Sequence, residues 1–135
     1  MSDPEFLDLD DVLLIHEAQL IKFGGAVGVR DQGLLESAIA TPQASYGGEF
    51  VHADLFSMAA AYAFHIAENQ PFLDGNKRTG VLAAVVFLEL NGYIVDEPPL
   101  RFHDAMIAVA DRRLDKGGLA AMLRNLSRPA AAAGE

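Results

Sequence analysis

At 135 residues, with 51% hydrophobic and 21% charged residues, the chain is sized for one domain with a core of its own. A net charge of −9 disfavours general nucleic-acid binding, which needs a basic surface to displace counterions, and the absence of cysteine excludes disulfides, thiol nucleophiles and thiolate metal sites. No apolar run approaches the ~18 residues of a membrane span, and the start, Met1 to Glu5, has no basic segment, so the expectation is a cytoplasmic protein without a signal peptide.

In chain order the pattern is mostly helical. Asp10 or Asp11 is placed to cap a first helix that runs through Phe23, with Val12, Leu13, Ile15, His16, Leu20 and Phe23 as a broad apolar stripe and Gly24-Gly25 as its stop. Asp31 caps a short second helix closed by Thr41-Pro42. The stretch Gln43 to His52 reads as a loop or flap, with a glycine pair, Gly47-Gly48, between Tyr46 and Phe50. Asp54 caps a third helix, Leu55 to Asn69, rich in alanine and so suited to close packing. The fourth helix, Lys77 to Asn91, is apolar almost all round, the mark of a central buried helix. Tyr93 to Val95 is a short extended piece, Pro98-Pro99 a linker, Asp104 the start of a fifth helix and Asp115 the cap of a sixth that runs to Leu126. From Ser127 the tail has nothing to bury. The expected organisation is therefore one domain over 1–126 and a disordered tail over 127–135, all-α with at most a small β flap.

The chemistry concentrates between the third and fourth helices, in Gln70-Pro71-Phe72-Leu73-Asp74-Gly75-Asn76-Lys77-Arg78-Thr79. Pro71 disfavours helix at the residue before it, Phe72 is an apolar anchor in a polar loop, and Asp74-Gly75 is a turn signal. Asn76 is a good N-cap for a helix starting at Lys77. The first N–H groups of a helix are unpaired and backed by the positive end of its dipole, so they form an anion site, here reinforced by Lys77 and Arg78. Cations in a first turn oppose the dipole and are poor choices for stability alone. Asp74 beside that site suits Mg²⁺, which takes a carboxylate together with phosphate oxygens. Two readings stand on the residues alone: a divalent-metal polyphosphate pocket, or a capped and solvated helix start.

The stretch resembles the Fic/Doc family motif His-Pro-Phe-x-Asp/Glu-Gly-Asn-Gly/Lys-Arg, and its Gly-Asn-Lys-Arg-Thr ending resembles the death-on-curing (Doc) branch. The likeness extends over residues 6 to 126: Phe6 to Phe23, Gly28 to Asp31, Leu34 to Ala38, Pro42, Gly47-Gly48 and Phe87 to Tyr93 match in order and spacing. Every defined motif position agrees except the first, where the family's histidine is Gln70. The resemblance implies a helical Fic/Doc bundle and a transferase of Mg²⁺-ATP. Gly75, Asn76, Lys77 and Arg78 would hold phosphates and Asp74 the metal, and a flap near Gln43 to His52 would lay the target beside the site. It implies transfer of AMP or, in the Doc branch, of phosphate to a protein hydroxyl on a translation elongation factor. Lys77 in the glycine position favours phosphate. The family's self-inhibiting helix has no counterpart here: Ser45 to Phe50 has the spacing, but Gly47-Gly48 makes a poor helix and Phe50 breaks the ending, so inhibition is expected from a separate antitoxin.

Gln70 departs from the motif where the family's histidine accepts the proton of the attacking hydroxyl. A primary amide cannot act as a general base near neutrality. The alternative is thus a catalytically silent nucleotide- or antitoxin-binding module. His65 is a weaker candidate for a substitute base. A zinc reading of His52, His65 and Glu68 lacks a third convincing ligand, a Walker A loop lacks its first glycine and residue order, and Arg112-Arg113 reads as a solvated helix end.

Overall fold

The computed structural model describes residues 3–96 and 99–131, without the side chains of residues 99, 100, 102 and 103. Pro98, read as linker, and the last four residues of the tail lie outside this set. The elements are α1 (Leu9–Phe23), α2 (Gln32–Ala40) with a 3-10 turn at Thr41–Gln43, β1 (Ser45–Tyr46), β2 (Glu49–Phe50), α3 (Leu55–Asn69), α4 (Asn76–Leu90), β3 (Tyr93–Val95), α5 (Pro99–Ala110), α6 (Lys116–Leu126) and β4 (Ser127–Pro129). The fold is all-α with small β accessories, as expected. β1 and β2 form the flap as an antiparallel hairpin, Ser45 opposite Phe50. No helix among the described residues is long and apolar enough to cross a membrane.

α3 is the hub. Met58, Ala59, Ala60, Ala61, Tyr62, Ala63 and Ile66 are all buried on it, against α2, α4 and α6. Its partner α4 meets it with small residues, Gly80, Ala83 and Ala84, followed by Phe87 and Leu88. A Cβ on Gly80 would lie 2.8 Å from the Ala63 carbonyl oxygen, so the two backbones nearly touch there. α4 is therefore buried most deeply on its α3 side, and it also meets α1 and β3. Val81, Val85 and Val86 are half-buried against the core, Leu82 is half-buried and Leu90 exposed, so the central helix expected from the sequence keeps an open strip of its surface. The small residues take the deepest position because they permit the close approach, and this pushes the bulkier valines to the flanks.

Asp31, Asp54 and Asp115 cap α2, α3 and α6 as expected, each side chain accepting a backbone N–H three residues on. Four expectations are corrected. α1 is capped by Asp8, not Asp10 or Asp11, because only Asp8 and Asp11 have the spacing for a reciprocal capping box. α4 has Gly75 at its cap and begins at Asn76, whose side chain is engaged elsewhere. α5 begins at Pro99 instead of Asp104, since proline at a first helical position sacrifices no hydrogen bond. Ser127–Pro129 is not a loose tail: it pairs antiparallel with β3, Ser127 opposite Val95, with an ion pair from Arg128 to Asp96. An open strand edge needs only backbone groups from its partner, so a segment with nothing apolar to bury can still be ordered.

Candidate active site

The loop between α3 and α4 is held from three sides. Gln70 stands at the C-terminus of α3 in the left-handed region (φ 48°, ψ 55°), unusual for a residue that is not glycine, and its N–H donates to the Ile66 carbonyl. Arg30 stabilises this turn: its Nε donates to the Gln70 carbonyl (2.7 Å) and its Nη2 to the Asn69 carbonyl (2.8 Å). The backbone of Gly28 to Asp31 runs alongside, with Arg30 and Asp31 N–H donating to the Pro71 carbonyl and Leu73 N–H to Gly28. Val29 and Phe72 make an antiparallel bridge.

Phe72, 1% exposed, is the expected anchor, and it stacks face to face on His16 with 3.7 Å between ring centroids. His16 Nε2 donates to the Asp74 carbonyl at 2.9 Å; a carbonyl only accepts, so Nε2 carries the proton. Asn76 closes the loop, its Oδ1 accepting the Phe72 N–H (2.9 Å) and its Nδ2 donating to the Phe72 carbonyl (3.1 Å). That clamp removes Asn76 from the capping role. Gly75, at φ 75°, replaces it with no side-chain hydrogen bond. The first intrahelical bond of α4 is Thr79 N–H to Gly75 O (2.9 Å), so the N–H groups of Asn76, Lys77 and Arg78 precede the helical ladder.

The Asp74 carboxylate accepts from the Gly75 N–H (2.9 Å) and more loosely from the Ala26 N–H (3.4 Å). Arg78 lies with its guanidinium 4.4 Å from the centre of the Phe23 ring, at the end of α1. Gln70, Asp74, Gly75, Asn76, Lys77 and Arg78 line one open pocket of about 410 Å³, together with Ala67 and Leu73. Every residue singled out from the sequence for this site thus faces the same space. The Gln70 side chain is exposed.

The histidine alternatives lie elsewhere. His65 Nε2 accepts from Lys116 Nζ (2.9 Å), so it faces α6. Burial, then the charge of Lys116, pushes its pKa down to about 4. Burial likewise lowers His52 and Lys116. Glu68 pairs with Arg112 at 3.5 Å and Asp111 with Arg113 at 3.4 Å, so both arginines have acidic partners at the surface. The residues that reading by sequence underrated are His16, Gln19 and Arg30. Their signal was faint: two polar residues, three apart, on the buried face of α1, and an arginine just before the α2 cap.

The model of the Fic/DOC family matches residues 6–88, from the segment before α1 into α4. This chain belongs to the Fic/DOC family. Two curated Fic/DOC relatives cover nearly all of it. Toxin Doc of Mycolicibacterium smegmatis is 41% identical over 128 residues, 93% of this chain and 96% of its own. Protein kinase doc of Escherichia phage P1 is 32% identical over 118 residues, 87% of this chain and 91% of its own. The Fic/DOC match includes the whole loop that lines the pocket and the segments of α1 and residues 28–31 that hold it.

Proposed function

We propose that the chain is a Doc-type toxin, a transferase that moves a phosphate from Mg²⁺-ATP to a protein hydroxyl, with Gln70 lowering its rate. The observation that carries this is the convergence of Asp74, Gly75, Lys77 and Arg78 on a pocket at the uncapped N-terminus of α4. The residues suit such a ligand. Gly75 brings no side chain, so the unpaired N–H groups of the first turn are open to phosphate oxygens, and two cations flank them. Asp74 is a carboxylate at the rim whose Oδ2 is only loosely engaged, which fits one inner ligand of Mg²⁺. When bound, magnesium nucleotide supplies the group to be transferred.

The chain's own residues then bind and orient. Lys77 and Arg78 neutralise phosphate charge, and Phe23 restricts where the Arg78 guanidinium can swing. Asn76 works mainly as the clamp that keeps the Phe72–Asn76 turn rigid, and it meets phosphate through its backbone N–H. Arg30 fixes the carbonyl of residue 70, so its side chain leaves a defined point. The Gln70 amide can position a hydroxyl by hydrogen bonding but cannot accept its proton, a loss of about 10²- to 10⁴-fold in rate. A relative that is a protein kinase favours phosphate over AMP transfer. A relative that is a toxin supports a cognate antitoxin as partner and growth arrest as the outcome of activity. The proposed target is a translation elongation factor in the cytoplasm.

Gln70 also favours a second reading, a catalytically silent nucleotide- or antitoxin-binding module. Protein with Gln70 and the Gln70→His variant, incubated with cell extract and ATP labelled at α or γ, separates the two. We expect γ label on protein, stronger by about 10²- to 10⁴-fold with histidine. Label from α instead establishes AMP transfer. No label from either form, with nucleotide binding retained, establishes the silent module.

A further inference from the structure

Gln19 is 1% exposed, and neither its Oε1 nor its Nε2 has a hydrogen-bond partner. Buried polar groups are nearly always paired, so an amide with both ends unmet calls for a cause. Its position supplies one. Gln19 lies one turn beyond His16 on the buried face of α1, and its Nε2 packs against the Cα of Gly75, in the space a Cβ would fill. Thr79, whose N–H is bonded to the Gly75 carbonyl, also has a buried hydroxyl without a partner. Two buried polar side chains without partners thus belong to the elements that meet at this turn, Gln19 of α1 against Gly75 and Thr79 one turn along α4.

The turn in front of them is held by one firm bond and one replaceable bond. His16 donates to the Asp74 carbonyl, which has a second lone pair free to accept. The Gly75 N–H donates to the Asp74 carboxylate, the same group that faces the pocket. A polyphosphate at the helix start competes for that N–H, and its cation competes for that carboxylate. We propose that Gln19 is a positioning residue for the anion cradle: occupancy by a metal polyphosphate releases the Asp74 carboxylate from Gly75, the Asp74–Gly75 turn reorients against α1, and Gln19 Nε2, already packed on Gly75, donates to the second lone pair of the Asp74 carbonyl. The Nε2 end of the amide then contributes to the affinity for the polyphosphate. The inference rests on the nucleotide reading above and adds to it a residue that no ligand touches.

The test uses the whole chain and two probes, MgATP and magnesium pyrophosphate, the second lacking a base. In ¹⁵N-labelled protein, the Gln19 side-chain NH₂ signals move downfield and exchange more slowly with water on adding either probe. The Gln19→Met variant, similar in length but without the amide, melts a few degrees higher when empty and binds both probes about tenfold more weakly. That opposite movement of stability and affinity is not produced by a purely structural residue. Gln19 signals that stay in place at saturation, or a Gln19→Met protein that binds both probes as tightly as the parent, overturn the proposal. Should the methionine variant not fold, the amide signals decide alone. If the parent binds neither probe, the nucleotide reading itself fails, and this inference with it.

Discussion

Gly75→Ala probes the geometry on which the candidate site depends. Gly75 sits at φ 75°, a conformation that costs alanine about 1–2 kcal/mol. The added Cβ would also overlap the buried Gln19 amide, and overpacking of this kind costs about 1–3 kcal/mol. The two act together, so the expected loss is about 2–5 kcal/mol, a urea midpoint lower by roughly 1–3 M for a chain of this size. Gly47→Ala supplies the control. Gly47 has φ 61° in the flap turn, and a Cβ added there would meet nothing within 4 Å, so only the conformational cost applies. Adding Gln19→Ala to Gly75→Ala removes the overlap but not the φ penalty, and it restores about 1–3 kcal/mol relative to the sum of the single changes. Equal losses at Gly75 and Gly47, or no recovery in the double variant, would refute the packing of Gln19 beneath the turn.

Gly80→Ala should destabilise by about 1–3 kcal/mol in thermal or urea melts, although alanine is ordinarily the better helix former, because its Cβ meets the Ala63 backbone; an increase in stability would mean that α3 and α4 are not in close contact. Arg30→Ala should cost about 1–2 kcal/mol and speed amide exchange at Gln70, and Arg30→Lys should recover only part of it, since an ammonium does not reproduce the guanidinium fork to two carbonyls. The His65 pKa falls from 6.5 to about 4 on folding, so between those values the unfolded chain binds the proton more readily. Stability is therefore complete above pH 6.5 and lost as pH falls toward 4, by about 1–2 kcal/mol once the ring's half exposure is discounted. The slope of urea midpoints between pH 7 and 4.5 should shrink in His65→Gln, and an unchanged slope would refute the assignment.

What could be read from the chain, and what could not, divides by distance along it. The limits of α3 and the caps of α2, α3 and α6 follow from one carboxylate reaching the N–H three residues ahead, and Pro71 stops α3 for an equally local reason. The site residues from Gln70 to Arg78 were legible for the same reason: they are nearly consecutive, so one turn necessarily gathers them. The misread starts of α1, α4 and α5 are cases where a second acceptable local partner competed. Asn76 is the clearest. Its side chain can cap a helix or clamp Phe72, and the buried ring decides for the clamp.

By itself the sequence determined that α-helices would form in this order and that a loop carrying Asp74, Gly75, Lys77 and Arg78 would lead into α4. Only the tertiary structure decided what holds that loop: His16 reaches Asp74 across 58 residues, Arg30 reaches Gln70 across 40, and Ser127–Pro129 closes on Tyr93–Val95. Partners that far apart leave no periodic trace, because their meeting is set by how helices pack and not by the backbone preferences of either segment. The unmet amide of Gln19 belongs to the same class, since nothing near it in the chain says that Gly75 will lie against it.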